Sequence, residues 1–189
     1  MKRKPRGLAQ AVVVGEEVFL RGLTASDRDE FLDLMRASRR LHKPWISAPT
    51  NDAAYSSYLK RALRPDFRAL VLCRVEDGRI LGVFNISQIV GGPFQSAYLG
   101  YYVGAPFAGK GYMTQGLRLV LGYAFTELKL HRLEANIQPG NTFSIKLVKR
   151  CVFQLEGFSP RYLKIAGRWR DHERWAITKE VWKANLRSG

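Results

Sequence analysis

Gly109, Lys110 and Gly111 stand between two apolar runs, and their types suit the binding of a phosphate. Glycines let a backbone approach an anion closely, and the lysine adds a full charge. The residues before them, Tyr98-Leu99-Gly100-Tyr101-Tyr102-Val103, are aromatic and β-branched and read as a strand. Beyond them Leu117, Val120, Leu121, Ala124, Phe125 and Leu128 recur at helical spacing. A strand, a glycine turn and a helix start together aim unpaired amides at an anion. The same residues also allow an ordinary strand-to-helix turn. A Walker A loop is excluded, because Gly-Lys is not followed by Ser or Thr at the required spacing. A dinucleotide fingerprint is excluded too, since its third glycine would fall on Thr114.

His42 lies in Arg39-Arg40-Leu41-His42-Lys43-Pro44-Trp45. Its titration range suits a general base, and a solvated loop histidine is the plainer alternative. Trp45 either lines a pocket or covers the edge of the core. Cys73 and Cys151 lie far apart and make no metal pattern or disulfide framework, so buried reduced thiols are expected.

The elements that must position these residues follow from periodicity. A first strand spans 18–23, and Asp27, Asp29 and Glu30 open a helix whose buried side is Phe31, Leu32, Leu34 and Met35. Pro44 stops helix, and a second helix spans 53–63. Strands 67–75 and 80–89 are joined through Asp77-Gly78, a strong hairpin signal. After the central strand and helix, strand 131–137 puts Arg132, Glu134 and Asn136 on one face and Leu133, Ala135 and Ile137 on the other. A helix over 142–152 and a hairpin of 157–165 with 168–178 complete the set, and the tail from Lys179 is weakly patterned. The order is strand, two helices, three antiparallel strands, helix, strand, helix, two strands. It predicts an α+β chain with a mixed, mostly antiparallel sheet of about seven strands flanked by helices.

The loop Gly109-Lys110-Gly111-Tyr112-Met113 after a Leu-Gly-Tyr strand resembles the pyrophosphate loop of the GNAT N-acetyltransferases. Arg132-Leu133-Glu134-Ala135-Asn136, followed by Asn141-Thr142-Phe143-Ser144, resembles their fifth strand and next helix start. The resemblance covers nearly the whole chain, as a single GNAT domain over residues 1–189. Departures are Pro106, where the family usually has Gln or Arg, Gln115 for a common Glu, and Val152 for a usual Gly. Within the family the chain is most similar to the Rim-type ribosomal-protein-alanine N-acetyltransferases (RimJ and RimL type). The residues behind this are His42-Lys43-Pro44-Trp45, Ala97-Tyr98-Leu99-Gly100-Tyr101 and Gly167-Arg168-Trp169-Arg170-Asp171-His172.

The resemblance implies acetyl-CoA as cosubstrate, no metal, and direct transfer of acetyl from thioester to amine. It implies that coenzyme contacts come from Tyr101, Tyr102, Val103, Ala108, Gly109, Lys110, Gly111, Tyr112, Met113, Asn141 and Ser144. The backbone of 101–103 would pair with the pantetheine arm between splayed strands, and Ser144 would protonate the departing thiolate. Trp45, Trp169, Asp171 and His172 would frame the acceptor. The base stays open among Glu134, Asp171, His172 and a water chain. An α-amine has a pKa of roughly 7.7–8.0 and a lysine about 10.4, so the lack of an obvious strong base favours α-amines.

At 189 residues, with 46% hydrophobic and 25% charged residues, the sequence suits one globular domain, expected in the cytoplasm. No apolar run is long enough to span a membrane, and the basic start at residues 1–6 lacks the apolar core of a signal peptide. A flexible basic arm is expected over residues 1–15. The net charge of +15 implies an anionic partner and disfavours a polyamine acceptor. The expected partners are a ribosomal protein N-terminus and, through the basic surface, ribosome or rRNA; a monomer or a homodimer would serve. The rival functions are acetylation of a small amine, such as an antibiotic, and a non-catalytic GNAT-like module on ribosome or RNA.

Overall fold

Alternation along the strands decides how the helices are distributed. The structure, a computed structural model, describes residues 5–187. The strands are β1 (Ala11–Val14), β2 (Val18–Gly22), β3 (Phe67–Arg74), β4 (Ile80–Val90), β5 (Ser96–Val103), β6 (Arg132–Ile137), β7 (Gln154–Ile165) and β8 (Arg168–Thr178). The helices are α1 (Arg28–Ala37), α2 (Arg39–His42), α3 (Asp52–Ala62), α4 (Tyr112–Thr126), α5 (Thr142–Arg150) and α6 (Lys179–Arg187). One sheet runs β1-β2-β3-β4-β5-β6-β8-β7. In β3, Leu70 and Leu72 point to one face, where they meet α4 residues Leu117, Val120, Leu121 and Phe125. Phe67, Ala69, Val71 and Cys73 point to the other, against Phe31, Leu32 and Met35 of α1 and Tyr55 and Tyr58 of α3. Helices therefore cover both faces of the sheet.

The sheet has eight strands rather than seven. The extra one, β1, pairs antiparallel with β2 from Ala11↔Arg21 to Val14↔Phe19. The flexible arm expected through residue 15 is thus a strand from Ala11, because β-branched Val12, Val13 and Val14 can extend the free edge of β2. Lys2, Arg3 and Lys4 of that arm lie outside the described residues. Arg6 lies against the body of the protein, its guanidinium donating to the Ser26 carbonyl at 2.8 Å. The weakly patterned tail forms α6, whose Trp182 ring sits 5.3 Å from Phe125.

Three features position the site. First, α4 lies unusually close to the sheet at Gly116, where a Cβ would come within 2.8 Å of Leu72 and Phe84. Second, β5 and β6 pair in parallel only at Ser96↔Arg132, Ala97↔Leu133 and Tyr98↔Glu134. Beyond Tyr98 the two strands part. Third, the buried Ser38 hydroxyl donates to the Leu34 carbonyl at 2.6 Å and accepts from the Ala105 amide at 2.8 Å. It ties the end of α1 to the chain entering the glycine loop. Ser38→Ala removes both of these hydrogen bonds and lowers stability by about 1 kcal/mol, read from the urea midpoint.

Candidate active site

The glycine loop holds a row of free amides. Gly109 has φ +76° and Gly111, the N-cap of α4, has φ +82°. Both values lie in the left-handed region that glycine enters without steric cost. The amides of Gly109, Lys110, Gly111, Tyr112 and Met113 donate to no acceptor among the described residues, and the first helix-type bond runs from Thr114 N to Gly111 O. A Cβ built at Gly109 or Gly111 meets nothing within 4 Å among the described residues, so the space before the loop is open. A cavity of about 450 Å³ opens there. Lys110 and Arg150 line it and no carboxylate does, among the described residues. Five free amides, a helix N-terminus and two cations fit a diphosphate. These residues fit the coenzyme A implied by the sequence.

The parted strands hold a second, smaller cavity of about 80 Å³, between Leu99, Gly100 and Tyr101 of β5 and Ala135, Asn136 and Ile137 of β6. Trp45, Ile46, Tyr101, Asn141 and Ser144 line both cavities, so the two meet at these residues. At the junction the Tyr101 hydroxyl and Ser144 Oγ share a hydrogen bond of 2.6 Å. Burial pushes the Tyr101 phenol well above its ordinary range, so it keeps its proton. Asn141 caps α5, its Oδ1 accepting from the Ser144 amide at 3.2 Å. The amide NH₂ of Asn141 is left to donate into the cavities.

Other expected residues fall less evenly. Tyr102, Val103, Ala108 and Met113 line the larger cavity, whereas the Tyr112 side chain does not; only its amide faces the task. The Val103 carbonyl, expected to be free for a ligand strand, lies 2.9 Å from His42 Nε2. His42 is accordingly neither solvated nor a free base. It is buried, edge-on to Tyr102, and burial lowers its pKa and keeps it neutral.

Glu134 lines neither cavity. It accepts from Arg132 Nε at 2.8 Å, and Arg132 also binds Glu156, so Glu134 belongs to an ion-pair network that joins β6 to β7. Trp169 is exposed and away from both cavities. Asp171 is likewise away from them and accepts from the Arg161 amide at 2.7 Å, bracing the hairpin. His172 alone of that segment reaches the smaller cavity.

Sequence reasoning missed Arg150, Phe143, Asn136 and Gln138 as lining residues. Arg150 lies two turns past Phe143 and three residues past Leu147 on α5, a helical spacing that was readable once this helix was placed. Gln138 donates to the Trp45 carbonyl at 3.1 Å and fixes Trp45 over the junction, a contact between distant segments with no local signal.

Comparisons with known proteins agree with this geometry. The acetyltransferase (GNAT) domain profile matches residues 17–154. A probable N-acetyltransferase of Bacillus subtilis, YjcK, is 32% identical over 86% of this chain and 94% of its own. A ribosomal-protein-alanine N-acetyltransferase of Escherichia coli is 39% identical, over 57% of this chain and 55% of its own. RimJ of Mycobacterium smegmatis, solved with CoA-disulfide, superposes with a TM-score of 0.80 at 29% identity, covering 91% of this chain and 89% of that one. A spermidine N-acetyltransferase of Vibrio cholerae shares the fold at a TM-score of 0.76 and 21% identity, covering 89% of this chain and 99% of that one. The amide row before α4, the parted β5 and β6 and these matches make the chain a member of the GNAT family of acetyl-CoA-dependent N-acetyltransferases.

Proposed function

We propose that the protein acetylates the α-amino group of a protein N-terminus, with the N-terminal alanine of a small-subunit ribosomal protein as its acceptor. The observation that carries this reading is the small chamber behind the Tyr101–Ser144 pair. It holds no carboxylate among the described residues that line it. A polyamine brings several positive charges and needs acidic partners to hold them. A chamber of about 80 Å³ lined by Leu99, Gly100 and Ala135 suits one amine on a small first residue. Likeness to an alanine N-acetyltransferase at 39% identity and to RimJ supports the same acceptor class.

Bound acetyl-CoA supplies an activated acyl thioester. The chain holds its diphosphate on the amides of residues 109–113, with Lys110 and Arg150 neutralising charge. Asn141 and the free edge of β5 orient the arm toward the junction. Tyr101, kept protonated by burial, holds a proton at its hydroxyl that Ser144 relays to a leaving thiolate. Trp45 and Ile46 close the junction against water. An amine that is already neutral needs only a weak base, as an α-amine does near pH 8. The high positive charge favours approach to an acceptor carried on an anionic particle such as a ribosomal subunit.

The test is mass spectrometry of recombinant small-subunit ribosomal proteins beginning with alanine, incubated with enzyme and acetyl-CoA. One acetyl group on the α-amine is expected. No gain there, with acetylation of spermidine in a parallel reaction, would overturn the reading.

A further inference from the structure

Asn136 Oδ1 is a buried side-chain oxygen with no hydrogen-bond partner among the described residues. Buried carbonyl oxygens are nearly always satisfied, because an orphan loses its water without replacement. Asn136 lies on β6 two residues past Glu134, the last β6 residue paired with β5. There the strand edge faces the smaller cavity, and Asn136 lines it.

His172 lines the same cavity from β8. Its Nδ1 lies 2.9 Å from the Arg170 carbonyl oxygen. A carbonyl only accepts, so Nδ1 carries the hydrogen and Nε2 the lone pair. Nε2 has no partner among the described residues. Two residues that line the chamber thus carry acceptors without donors, and no carboxylate lines it among the described residues. An ammonium or amine is what offers hydrogens to both.

We infer that Asn136 and His172 form the acceptor-amine site: Asn136 Oδ1 takes a hydrogen bond from the nitrogen, and His172 Nε2 removes its proton. This rests on the α-amine reading and adds the groups that recognise and deprotonate the amine. In the step, one N–H bond of the ammonium breaks and an N–H bond forms at Nε2. The nitrogen keeps the electron pair as a lone pair aimed at the junction, and the imidazole becomes imidazolium. Burial holds the imidazole neutral beforehand, which is the form that can accept. Asp171, its neighbour on β8, favours the imidazolium, the Tyr162 ring of β7 lies 6.1 Å away, and Tyr101 lines the same chamber. The location also explains why Glu134 is not needed: it is paired with Arg132 outside the chamber.

The test uses the full chain and a peptide beginning with alanine, in two readouts. In steady-state acetylation, Asn136→Ala raises the peptide KM about tenfold with coenzyme A affinity unchanged. His172→Gln, which keeps a polar side chain, lowers kcat about 100-fold and removes the acidic limb of the pH profile. In ¹⁵N NMR of the wild type without acetyl-CoA, His172 Nε2 shows the unprotonated shift at pH 7.5, and the peptide perturbs both His172 and the Asn136 side chain. Full activity in both variants, or no shift at either residue with saturating peptide, overturns the amine site. If the wild type acetylates the peptide while the variants keep full activity, the amine site falls and the α-amine reading stands. If the wild type transfers nothing to the peptide yet both side chains shift on binding it, the site stands and the acceptor reading falls.

Discussion

Gly109→Val lowers coenzyme A affinity by about 100-fold or more, with little change in the unfolding midpoint. Gly109 sits at φ +76°, where a β-branched residue is strained by roughly 1–2 kcal/mol or more. The loop relieves that strain by turning, because among the described residues nothing lies within 4 Å to hold a new Cβ in place. Turning swings the neighbouring amides off a common target. Hydrogen bonds to charged groups contribute about 1.5–3 kcal/mol each, so losing two exceeds a factor of 100. Isothermal titration with coenzyme A reads the loss directly. Gly109→Ala, which strains less, loses less, and that order separates backbone geometry from simple blockage.

Tyr101→Phe lowers kcat by about 100-fold while coenzyme A affinity stays within a factor of about three. The phenol is buried, protonated and 2.6 Å from Ser144 Oγ where the cavities meet. Phenylalanine keeps the packing against Phe84, whose ring lies 5.9 Å away, and removes only the hydroxyl. Ser144→Ala breaks the same pair from the other side. The double variant is no slower than the slower single one, as expected of residues that act together. Unchanged turnover in Tyr101→Phe would move the acid elsewhere. Single-turnover kinetics distinguish chemistry from product release.

Much of this was legible along the chain, and the misses have physical reasons. The helix of residues 117–128 announces itself by apolar spacing, and the glycine turn by composition. A short edge strand such as β1 carries four residues of signal, and only the partner strand β2 gives it meaning. The helix α6 is short and has no buried residue, so its apolar stripe is thin. Glu134 and Asn136 share a face of β6, as alternation requires, and that much was readable. Which of them meets the cavity depends on where β5 stops pairing with β6, a long-range fact absent from either strand's sequence. The Arg132–Glu134 pair had a local signal, since residues two apart on a strand are neighbours on one face. His42 had none: its partner, the Val103 carbonyl, lies 61 residues away.

The central claim is that the amides of residues 109–113 hold the coenzyme's diphosphate. Backbone ¹H–¹⁵N spectra recorded while coenzyme A is titrated in test it most directly. The account predicts that Gly109, Lys110, Gly111, Tyr112 and Met113 show the largest downfield amide-proton shifts, all with one dissociation constant. Saturable binding that leaves those five resonances in place would contradict it.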